Sequence, residues 1–480
     1  MSKEKEPIYF KSLVLENVRC FGTEQILDLT QGDGKPCRWN LILGENGVGK
    51  TSLLQCLAWM RPVPAKGAAS EQSNQSGKDP DNLLPLIKGA LEPALASEEN
   101  PVFESLLRQK QTELILRAEM IKDELNSAES TITSTRNKGK TVKTGIFITY
   151  NSKGELEDFK LQGNSKIQTI KPYYEPLIIA YSANRQIGRQ NLYQTDLEDP
   201  IASRLSGITE LYDPEEILRD FDHAAAKNSY VGTENDKLIR LKELITKILP
   251  DIENPKSIEI YAPNILNISN QLSGVRFKTY SGMVPLTALS LGYQTTLAWV
   301  LDLALRLFRN SPKSNSPLEE PAIVLIDEID LHLHPLWQQT IMEDLSHLFP
   351  RVQFIATAHS PLMVQSSPEA NLVLVQKEED QAFIENTPHV VKSWRVDQIL
   401  TSELFGVKNV RDKETEGLFK EKYKLVNKKT LNEAEKLRLN EIDRKLMSLD
   451  TATRPEDQKA LDIIRRAAAH FKEIGVSDSD

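Results

Sequence analysis

Hydrophobic and polar residues alternate with the two-residue period of a β-strand near the start of the chain, in YFKSLVLENVR. QILDL at 25–29 can pair back on that strand as a hairpin, and RWNLIL at 38–43 is a short apolar strand that runs directly into glycines. A helix is predicted from about Lys50 to Met60. A strand, a glycine-rich loop and a helix in this order indicate an α/β fold.

A segment of different composition separates this beginning from further strand-like runs. Residues 62–105 include the Pro-, Ser-, Gly- and Asn-rich stretch PVPAKGAASEQSNQSGKDP and are interpreted as a surface insertion. Strands are then predicted at TELILRAEM (112–120), GIFITY (145–150) and EPLIIAYS (175–182). The polar stretch between Asp123 and Lys143 is interpreted as the loop at a hairpin tip.

The second half of the chain mixes helical and strand-like patterns. Residues 212–250 are interpreted as helical, and SIEIYA and VRFKTY are strand-like. The pattern then predicts a helix at 292–309, a strand at 322–327, a helix at 335–349, and strands at 352–358 and 371–376. Beyond Arg395 the sequence is heavily charged and predicts two or three helices.

These patterns divide the 480-residue chain into two predicted regions. Residues 1–395 are predicted to form an α/β head, with the surface insertion at 62–105 and a helical insert at 205–275. Residues 396–480 are predicted to form a helical C-terminal extension.

Composition and charge narrow the class of protein. Apolar residues make up 40% and charged residues 26%, an ordinary balance for a soluble chain. The net charge of −9 argues against a globally basic nucleic-acid coat, although it leaves a local basic groove open. The N-terminus MSKEKEPIYF lacks the apolar segment of a secretory signal, and Asp302 and Arg306 interrupt the most apolar helix. That helix is too short and too charged to span a bilayer, so we expect no membrane partner. The cysteines Cys20, Cys37 and Cys56 form no CxxC pair, so we expect a reducing cytoplasm.

The segment GENGVGKT matches G-x-x-x-x-G-K-[ST], the phosphate loop of nucleotide-binding proteins. Its glycines allow backbone N–H groups to face phosphate oxygens. Lys50 supplies a charge to the β- and γ-phosphates, and Thr51 offers a hydroxyl to Mg²⁺. The candidate nucleotide-binding residues here are Gly44, Asn46, Gly47, Gly49, Lys50, Thr51 and Ser52. A chance match in a turn is the alternative, and the strand before and the helix after the motif argue against it.

Two polar strand ends follow later in the chain. In AIVLIDEID an apolar strand ends at Asp327, which is predicted to hold Mg²⁺ through water, and the adjacent Glu328 is the candidate base for the attacking water. In TAHSP, His359 follows another apolar strand, where it can contact the γ-phosphate and that water. For Asp327 and Glu328 the alternative is an acidic strand end on the surface. For His359 the alternative is a histidine with only a structural role.

The stretch LTALSLGYQTTLAW contains a Leu-Ser-x-Gly-x-Gln arrangement directly before an apolar helix. Ser290 and Gly292 ahead of a helix are typical of a phosphate-facing N-terminus. A buried helix start with small residues is the alternative.

The order of these motifs, namely phosphate loop, Leu-Ser-x-Gly-x-Gln, Asp-Glu and His, resembles the ABC-type ATPase head. LVLENVRCFG ahead of the phosphate loop is similar to the SMC/RecF-like heads that act on DNA. The resemblance implies ATP and Mg²⁺ as cofactors, held between two copies of the chain. Ser290 and Gly292 of one copy then cap the ATP on the other copy's phosphate loop, and Arg19 lies near the nucleotide.

DEIDLHLHPLWQQ, AYSANR and RVDQILTSELFGV resemble the bacterial AAA-15/21 ATPases of phage defence, in particular the ATPases of Septu systems and their retron-linked relatives. This resemblance implies a homodimer, or a larger assembly of dimers, that regulates a separately encoded HNH nuclease. A RecF- or SMC-like DNA-repair ATPase that clamps or loads DNA is the alternative. A nuclease contained in the same chain is a third class, but the residues after His359 lack the acidic ligand pattern of a TOPRIM nuclease.

Two further features have open interpretations. His332 and His334 lie beside carboxylates and are candidate metal ligands, but the resemblance places them in a loop between subunits. The helical C-terminal region is predicted to dock a partner. Its lysines are either a contact for DNA or RNA or a solvated helix face, because glutamates are interleaved with them. The lysines are Lys420, Lys422, Lys424, Lys428 and Lys429.

Overall fold

In a computed structural model of the chain, the strand that ends at the glycine-rich loop lies in the middle of a six-stranded sheet. In order across the sheet lie Gln381–Glu385 (β16), Asn371–Glu378 (β15), Trp39–Gly44 (β3), Val352–Thr357 (β14), Ala322–Ile326 (β13) and Ile178–Tyr181 (β9). Neighbours from β15 to β9 pair in parallel, and β16 runs antiparallel to β15. The loops after β3, β13, β14 and β9 therefore leave from the same edge, where α/β sheets bind ligands.

The structure describes most of the predicted head and three helices within the predicted C-terminal region. The described residues are 7–31, 34–64, 83–85, 111, 113–122, 125, 140–150, 156–163, 175–185, 207–208, 236–249, 252, 254–261, 274–279, 282–311, 314–386, 394–407, 412–428 and 432–447. The chain forms two compact units, Met1–Gly406 and Val407–Asp480.

A second, antiparallel sheet of five strands belongs to the first unit. In order across it lie Gln25–Asp28 (β2), Tyr9–Glu16 (β1), Glu113–Lys122 (β6), Lys140–Tyr150 (β7) and Leu156–Gly163 (β8). The alternation in β1 buries Leu13 and Leu15 against the core, as a one-sided sheet requires.

The fully buried Gln353 of β14 joins the two sheets. Its side-chain oxygen accepts a hydrogen bond from the Phe10 N–H at 2.9 Å, and its side-chain nitrogen donates to the Phe10 carbonyl at 2.9 Å. The register between β1 and β6 shifts between Phe10 and Ser12. Gln353 therefore pairs main-chain groups at the point where the ladder of β1 is irregular.

Helices cover the six-stranded sheet on both faces. The helices of the first unit are Lys50–Trp59 (α1), Asp236–Ile248 (α2), Leu291–Asn310 (α3), Pro335–Gln338 (α4), Ile341–Leu348 (α5), Pro361–Ser366 (α6) and Val396–Thr401 (α7). One hydrophobic core contains α1, the five-stranded sheet and Ile42, whereas the other contains α2, α3, α5 and the neighbouring residues Leu41 and Leu43. A strand buried on both faces explains the continuous apolar run before the glycine-rich loop.

Smaller elements complete the first unit. Pro62–Pro64 (β4) pairs with Leu83–Pro85 (β5), and Ile258–Tyr261 (β10), Gly274–Thr279 (β11) and Gly282–Pro285 (β12) form a three-stranded sheet. Three short 3₁₀ turns lie at Pro255–Ser257, Leu286–Ala288 and Pro317–Glu319. Within the described part of the chain, the helices are too short or too polar to cross a membrane.

The predicted α/β class is confirmed, and so are the first hairpin, α1, α3 and the strands that carry the polar residues. The predicted helix at 335–349 is interrupted, since α4 ends at Gln338 and α5 begins at Ile341. β8 was not predicted, because LEDFKLQG is too polar to stand out as a strand. Most of the insertion at 62–105 and of the insert at 205–275 lies outside the described residues.

The C-terminal unit contains Lys413–Val426 (α8) and Glu433–Met447 (α9). Of the five lysines of the predicted basic patch, three form ion pairs within this unit: Lys420 with Glu416, Lys422 with Asp443, and Lys428 with Glu435. Lys429 and the third predicted helix lie outside the described residues. Residues 396–406, which the prediction assigned to the C-terminal region, belong to the first unit, with Ile399 fully buried in its core.

Candidate functional site

The loop between β3 and α1 bends at three glycines with left-handed backbone angles. Gly44, Gly47 and Gly49 have φ values of 143°, 78° and 104°. At Gly49 an added Cβ would also overlap the Cys20 thiol, so the loop lies directly against the turn that follows β1. α1 begins at Lys50 without a side-chain cap from the described residues. An uncapped helix N-terminus behind a glycine-rich loop is an arrangement that binds phosphate groups.

The Lys50 side chain folds back onto the loop that precedes it. Its Nζ donates to the carbonyls of Gly44 at 2.9 Å and Glu45 at 2.7 Å, and the residue is 6% exposed. Burial lowers the pKa of Lys50, and the carboxylates of Asp327 and Glu328 oppose that shift. A buried amine held by neutral carbonyls is well placed to gain from an anionic ligand.

Asp327 is held between two hydroxyl groups at the end of β13. Thr51 Oγ1 donates to Asp327 Oδ2 at 2.7 Å, and Thr357 Oγ1 donates to Asp327 Oδ1 at 2.6 Å. The structure thus brings together the two predicted metal-binding residues, Thr51 and Asp327. A hydroxyl and a carboxylate at this separation suit Mg²⁺, which prefers oxygen ligands.

Glu328 has a left-handed backbone, with φ of 48°. Its N–H donates to Thr357 Oγ1 at 2.7 Å. Its carbonyl accepts hydrogen bonds from Arg185 Nη2 at 2.5 Å and from the Leu331 N–H at 3.0 Å. Glu328 is half-buried and directly follows Asp327, at the edge of the sheet where the phosphate loop lies.

The half-buried His359 is joined to the loop that follows Glu328. Its backbone N–H donates to Asp330 Oδ2 at 2.9 Å. Gln338 Nε2 donates to the carbonyls of Asp330 at 3.3 Å and Leu333 at 3.1 Å, and Ser360 Oγ donates to Gln338 Oε1 at 2.6 Å. These contacts connect two polar strand ends that are distant in sequence. After α4 the N–H groups of Gln339 and Thr340 bond to carbonyls three residues back, which interrupts the α-helical pattern.

Ser290 and Gly292 lie at the first turn of α3. Ser290 is the exposed N-cap residue of this helix, and Gly292 is buried. A Cβ at Gly292 would come well within 3.0 Å of the His332 carbonyl oxygen. The start of α3 therefore packs against the loop after Glu328 in the same chain, while Ser290 remains exposed.

Arg19 reaches α1 from the turn after β1. Its guanidinium donates to Ser52 Oγ at 3.1 Å and to Gln55 Oε1. Arg19 itself has φ of 49°, and Asn46 is exposed in the phosphate loop. The structure thus places Arg19 beside α1, the helix behind the phosphate loop, and its predicted position near a nucleotide stays a prediction.

The two histidines considered as metal ligands are both exposed. His334 is the N-cap of α4, and its Nδ1 accepts a hydrogen bond from the Leu336 N–H at 3.3 Å. His332 has φ of 65° and presents its carbonyl to Gly292. Among the residues described, groups of three or more His, Cys, Asp or Glu arranged for a metal are absent.

Three residues of this network were not predicted as part of the site: Arg185, Thr357 and Gln338. Arg185 and Thr357 lie in segments already noted in the sequence, at the end of AYSANR and the start of TAHSP. The sequence feature that could have identified Arg185 and Thr357 is a polar residue at or shortly after the end of an apolar strand. The catalytic and binding roles assigned to the predicted residues stay predictions.

The chain is similar in sequence to a curated probable ATPase and to a Septu protein. The chain is 24% identical to the Septu protein PtuA of Bacillus mycoides over 99% of this chain and 56% of that protein. It is 30% identical to the Retron Vc95 probable ATPase of Vibrio cholerae over 48% of this chain and 42% of that protein. The predicted resemblance to Septu and retron ATPases is confirmed. The chain spans about half the length of these curated relatives.

Among solved structures, the SMC head domain from Thermotoga maritima is 12% identical, with a TM-score of 0.38 over 79% of this chain and 100% of that chain. The order of strands around the phosphate loop, rather than this distant likeness, identifies the α/β head.

A family model described as "AAA domain, putative AbiEii toxin, Type IV TA system" matches residues 40–364. This match begins in β3 and ends in α6, so that it includes the phosphate loop, Asp327, Glu328 and His359. The chain therefore belongs to this AAA-domain family, AAA_21.

Proposed function

We propose that the chain is a Mg²⁺-dependent ATPase that dimerises over ATP. The observation that carries the proposal is the Asp327 carboxylate. It is held by the hydroxyl of the phosphate-loop residue Thr51 on one side and by Thr357 on the other, with Glu328 directly after it. Membership of an AAA-domain family and similarity to a probable ATPase support this activity.

Phosphate binding rests on the loop and the helix behind it. The left-handed glycines turn backbone amides toward a bound anion, and Lys50 exchanges its carbonyl partners for the β- and γ-phosphates. Thr51 and Asp327 would hold Mg²⁺, which neutralises charge on the phosphate oxygens when bound. Arg19 supports this arrangement through its contact with Ser52.

Hydrolysis requires a base for the attacking water. Glu328 accepts the proton of the water as the water oxygen bonds to the γ-phosphorus. The bond from that phosphorus to the bridging oxygen breaks, and ADP leaves with the electron pair. His359 is held by the hydrogen bond from its backbone N–H to Asp330, and its side chain orients the γ-phosphate from the neighbouring strand end.

The second half of each site comes from another copy of the chain. Ser290 is exposed at the N-terminus of the 20-residue α3, where helix amides favour an anion. In the proposed dimer, Ser290 and Gly292 of one copy contact the ATP held by the loop of the other. A two-fold axis then produces two identical composite sites.

A mixing experiment tests the composite site. Lys50→Ala and Ser290→Arg copies should each be inactive alone. In an equal mixture, half of the dimers combine the two variants and hold one intact site of two, so about a quarter of wild-type hydrolysis should return. No recovery, together with a protein that stays monomeric in ATP by light scattering, would remove the dimer from the proposal.

The biological role is proposed from the relatives. The Septu protein and the retron ATPase point to anti-phage defence, in which the ATPase regulates a separately encoded HNH nuclease. Co-expression with an HNH nuclease encoded beside this gene tests that role. Co-purification and plasmid cleavage that depends on ATP support it. Cleavage by the purified chain alone, or neighbouring genes for replication and recombination, contradict it.

A further inference from the structure

A buried arginine holds the backbone that carries the proposed base. Arg185 is 2% exposed, and its Nη2 donates to the carbonyl of Glu328 at 2.5 Å and to the carbonyl of Asp327 at 3.2 Å. Both carbonyls belong to the turn that ends β13. One guanidinium group therefore fixes the two consecutive residues to which metal binding and water activation are assigned.

This turn needs such support, because its conformation is unfavourable in isolation. Glu328 has φ of 48°, a left-handed conformation that is unfavourable at a residue other than glycine. The conformation persists where surrounding contacts determine it. Here Thr357 binds the N–H of Glu328, while Arg185 and the Leu331 N–H bind its carbonyl.

Arg185 is itself placed by the neighbouring strand rather than by a flexible surface loop. β9 pairs in parallel with β13, and the pairing continues as the Asp327 N–H donates to the Tyr181 carbonyl at 2.9 Å. Farther along, the Asn184 N–H donates to Ser182 Oγ at 3.2 Å, which shapes the turn that leads to Arg185. Arg185 also has a left-handed φ of 39°.

Three hydrogen-bonded side chains anchor the end of β9 to α3. The Tyr181 hydroxyl donates to Asp302 Oδ2 at 2.9 Å, and Arg306 Nε donates to the same oxygen at 2.6 Å. Both Asp302 and Arg306 belong to α3, the helix whose first turn carries Ser290. The segment from Tyr181 to Arg185 thus connects α3 to the carbonyl groups of Asp327 and Glu328.

The geometry points to Arg185 as a positioning residue for ATP hydrolysis, acting through Glu328. Its guanidinium keeps the left-handed turn in place, so that the Glu328 carboxylate faces the attacking water while Asp327 faces the metal. The inference rests on the proposed ATPase function. It assigns to Arg185 an effect on turnover rather than on phosphate binding, since these two hydrogen bonds hold the turn after β13.

The test uses the full chain and the substitutions Arg185→Lys and Arg185→Gln. Lysine keeps the charge, but its flexible stem does not fix the position of the donor as the rigid planar guanidinium fixes Nη2. A misplaced catalytic group commonly costs up to about 100-fold in rate, so we expect kcat to fall roughly 10- to 100-fold. KM and the Kd for ATP should stay within about twofold of wild type, because phosphate binding is unchanged.

Arg61→Lys is the matched control. Arg61 is a buried arginine of the same unit that pairs with Glu175 at 2.9 Å, and its replacement should leave kcat within about twofold of wild type. A further comparison separates positioning from general damage. In a Glu328→Gln background, Arg185→Lys should lower the residual rate by less than about twofold, since residues that act as a unit are not additive.

A folded Arg185→Lys protein with wild-type kcat would overturn the inference, and so would an equal loss of rate with and without Glu328. Loss of cooperative unfolding in both Arg185 variants would assign the residue to stability alone and would also contradict it. Wild-type protein that binds but never hydrolyses ATP would instead refute the proposed function.

Discussion

Gly292 packs directly against the main-chain carbonyl of His332, at a distance that leaves no space for a Cβ. The two residues belong to elements with different proposed tasks. Gly292 lies in the helix start that is proposed to cap a partner's ATP, and His332 lies in the loop after Glu328. Direct backbone contact therefore prevents either element from moving closer to the other.

Substitution of Gly292 with alanine should disturb both elements. Overpacking of this kind typically costs about 1–3 kcal/mol, and we expect a loss of that size in the free energy of unfolding together with reduced ATP hydrolysis. Gly417→Ala is the control, since a Cβ at Gly417 meets nothing within 4 Å among the described residues. In the middle of α8 that change should stabilise by roughly 0.5–1 kcal/mol. Chemical denaturation of both variants provides the measurement, and equal effects would contradict the close packing.

Glu328→Gln should separate ATP binding from turnover. The amide cannot accept the proton of the water, so kcat should fall by about 10²- to 10⁴-fold, while the Kd for ATP changes little. The ATP-bound dimer should accumulate in size-exclusion chromatography. Glu343→Gln, an exposed change on α5, is the control. Hydrolysis at the wild-type rate in Glu328→Gln would mean that another group is the base.

Thr357→Val should destabilise the turn after β13 and weaken the metal site. The change keeps the shape of the side chain but leaves Asp327 Oδ1 and the Glu328 N–H without the hydroxyl that pairs them. Unpaired buried groups cost about 1–3 kcal/mol each, and a higher Mg²⁺ concentration should be needed for half-maximal hydrolysis. Thr357→Ser retains the hydroxyl and should behave almost as wild type. Indistinguishable Mg²⁺ titrations for the two variants would count against this arrangement.

ATP affinity should decrease at alkaline pH because of Lys50. Burial lowers its pKa below the ordinary value of 10.5, so the folded protein holds this proton less tightly than the unfolded chain does. The charged amine therefore lowers stability below the folded pKa, and that penalty disappears as pH rises from the folded pKa toward 10.5. Phosphates favour the charged form, so the Kd for ATP should rise through the same interval.

Lys50→Arg is the control for this titration. Arginine keeps its charge to a pH above about 12, so the Kd of that variant should not follow the same pH dependence, whatever its absolute value. Fluorescence titration with a labelled nucleotide across this range provides the measurement. An affinity for ATP that stays constant in the wild-type protein up to pH 10.5 would contradict the lowered pKa of Lys50.

Local patterns in the sequence predicted the parts of the site that depend on short stretches of chain. A buried strand followed by glycines and a helix predicts the phosphate loop, and an apolar run that ends in Asp327 and Glu328 predicts the acidic strand end. These features need only the order of residues along one strand and the loop that follows it.

The contacts made by Arg185 and Thr357 could not be predicted in this way. They depend on β9 and β14 lying on either side of β13, and strand order is set by packing across the whole sheet. The contact between Gly292 and His332 likewise joins segments that local periodicity treats separately. The side-chain amide of Gln338 in α4 also bonds to carbonyls of the preceding loop, a contact that helical periodicity does not indicate.

The amide pair between Gln353 and Phe10 has a consequence for how the head unfolds. Both main-chain groups of Phe10 are satisfied by one buried side chain from the other sheet. The Phe10 amide proton can therefore exchange with deuterium only when the two sheets separate, so its protection factor reports global opening rather than fraying of an edge. The five-stranded and six-stranded sheets should accordingly behave as one foldon.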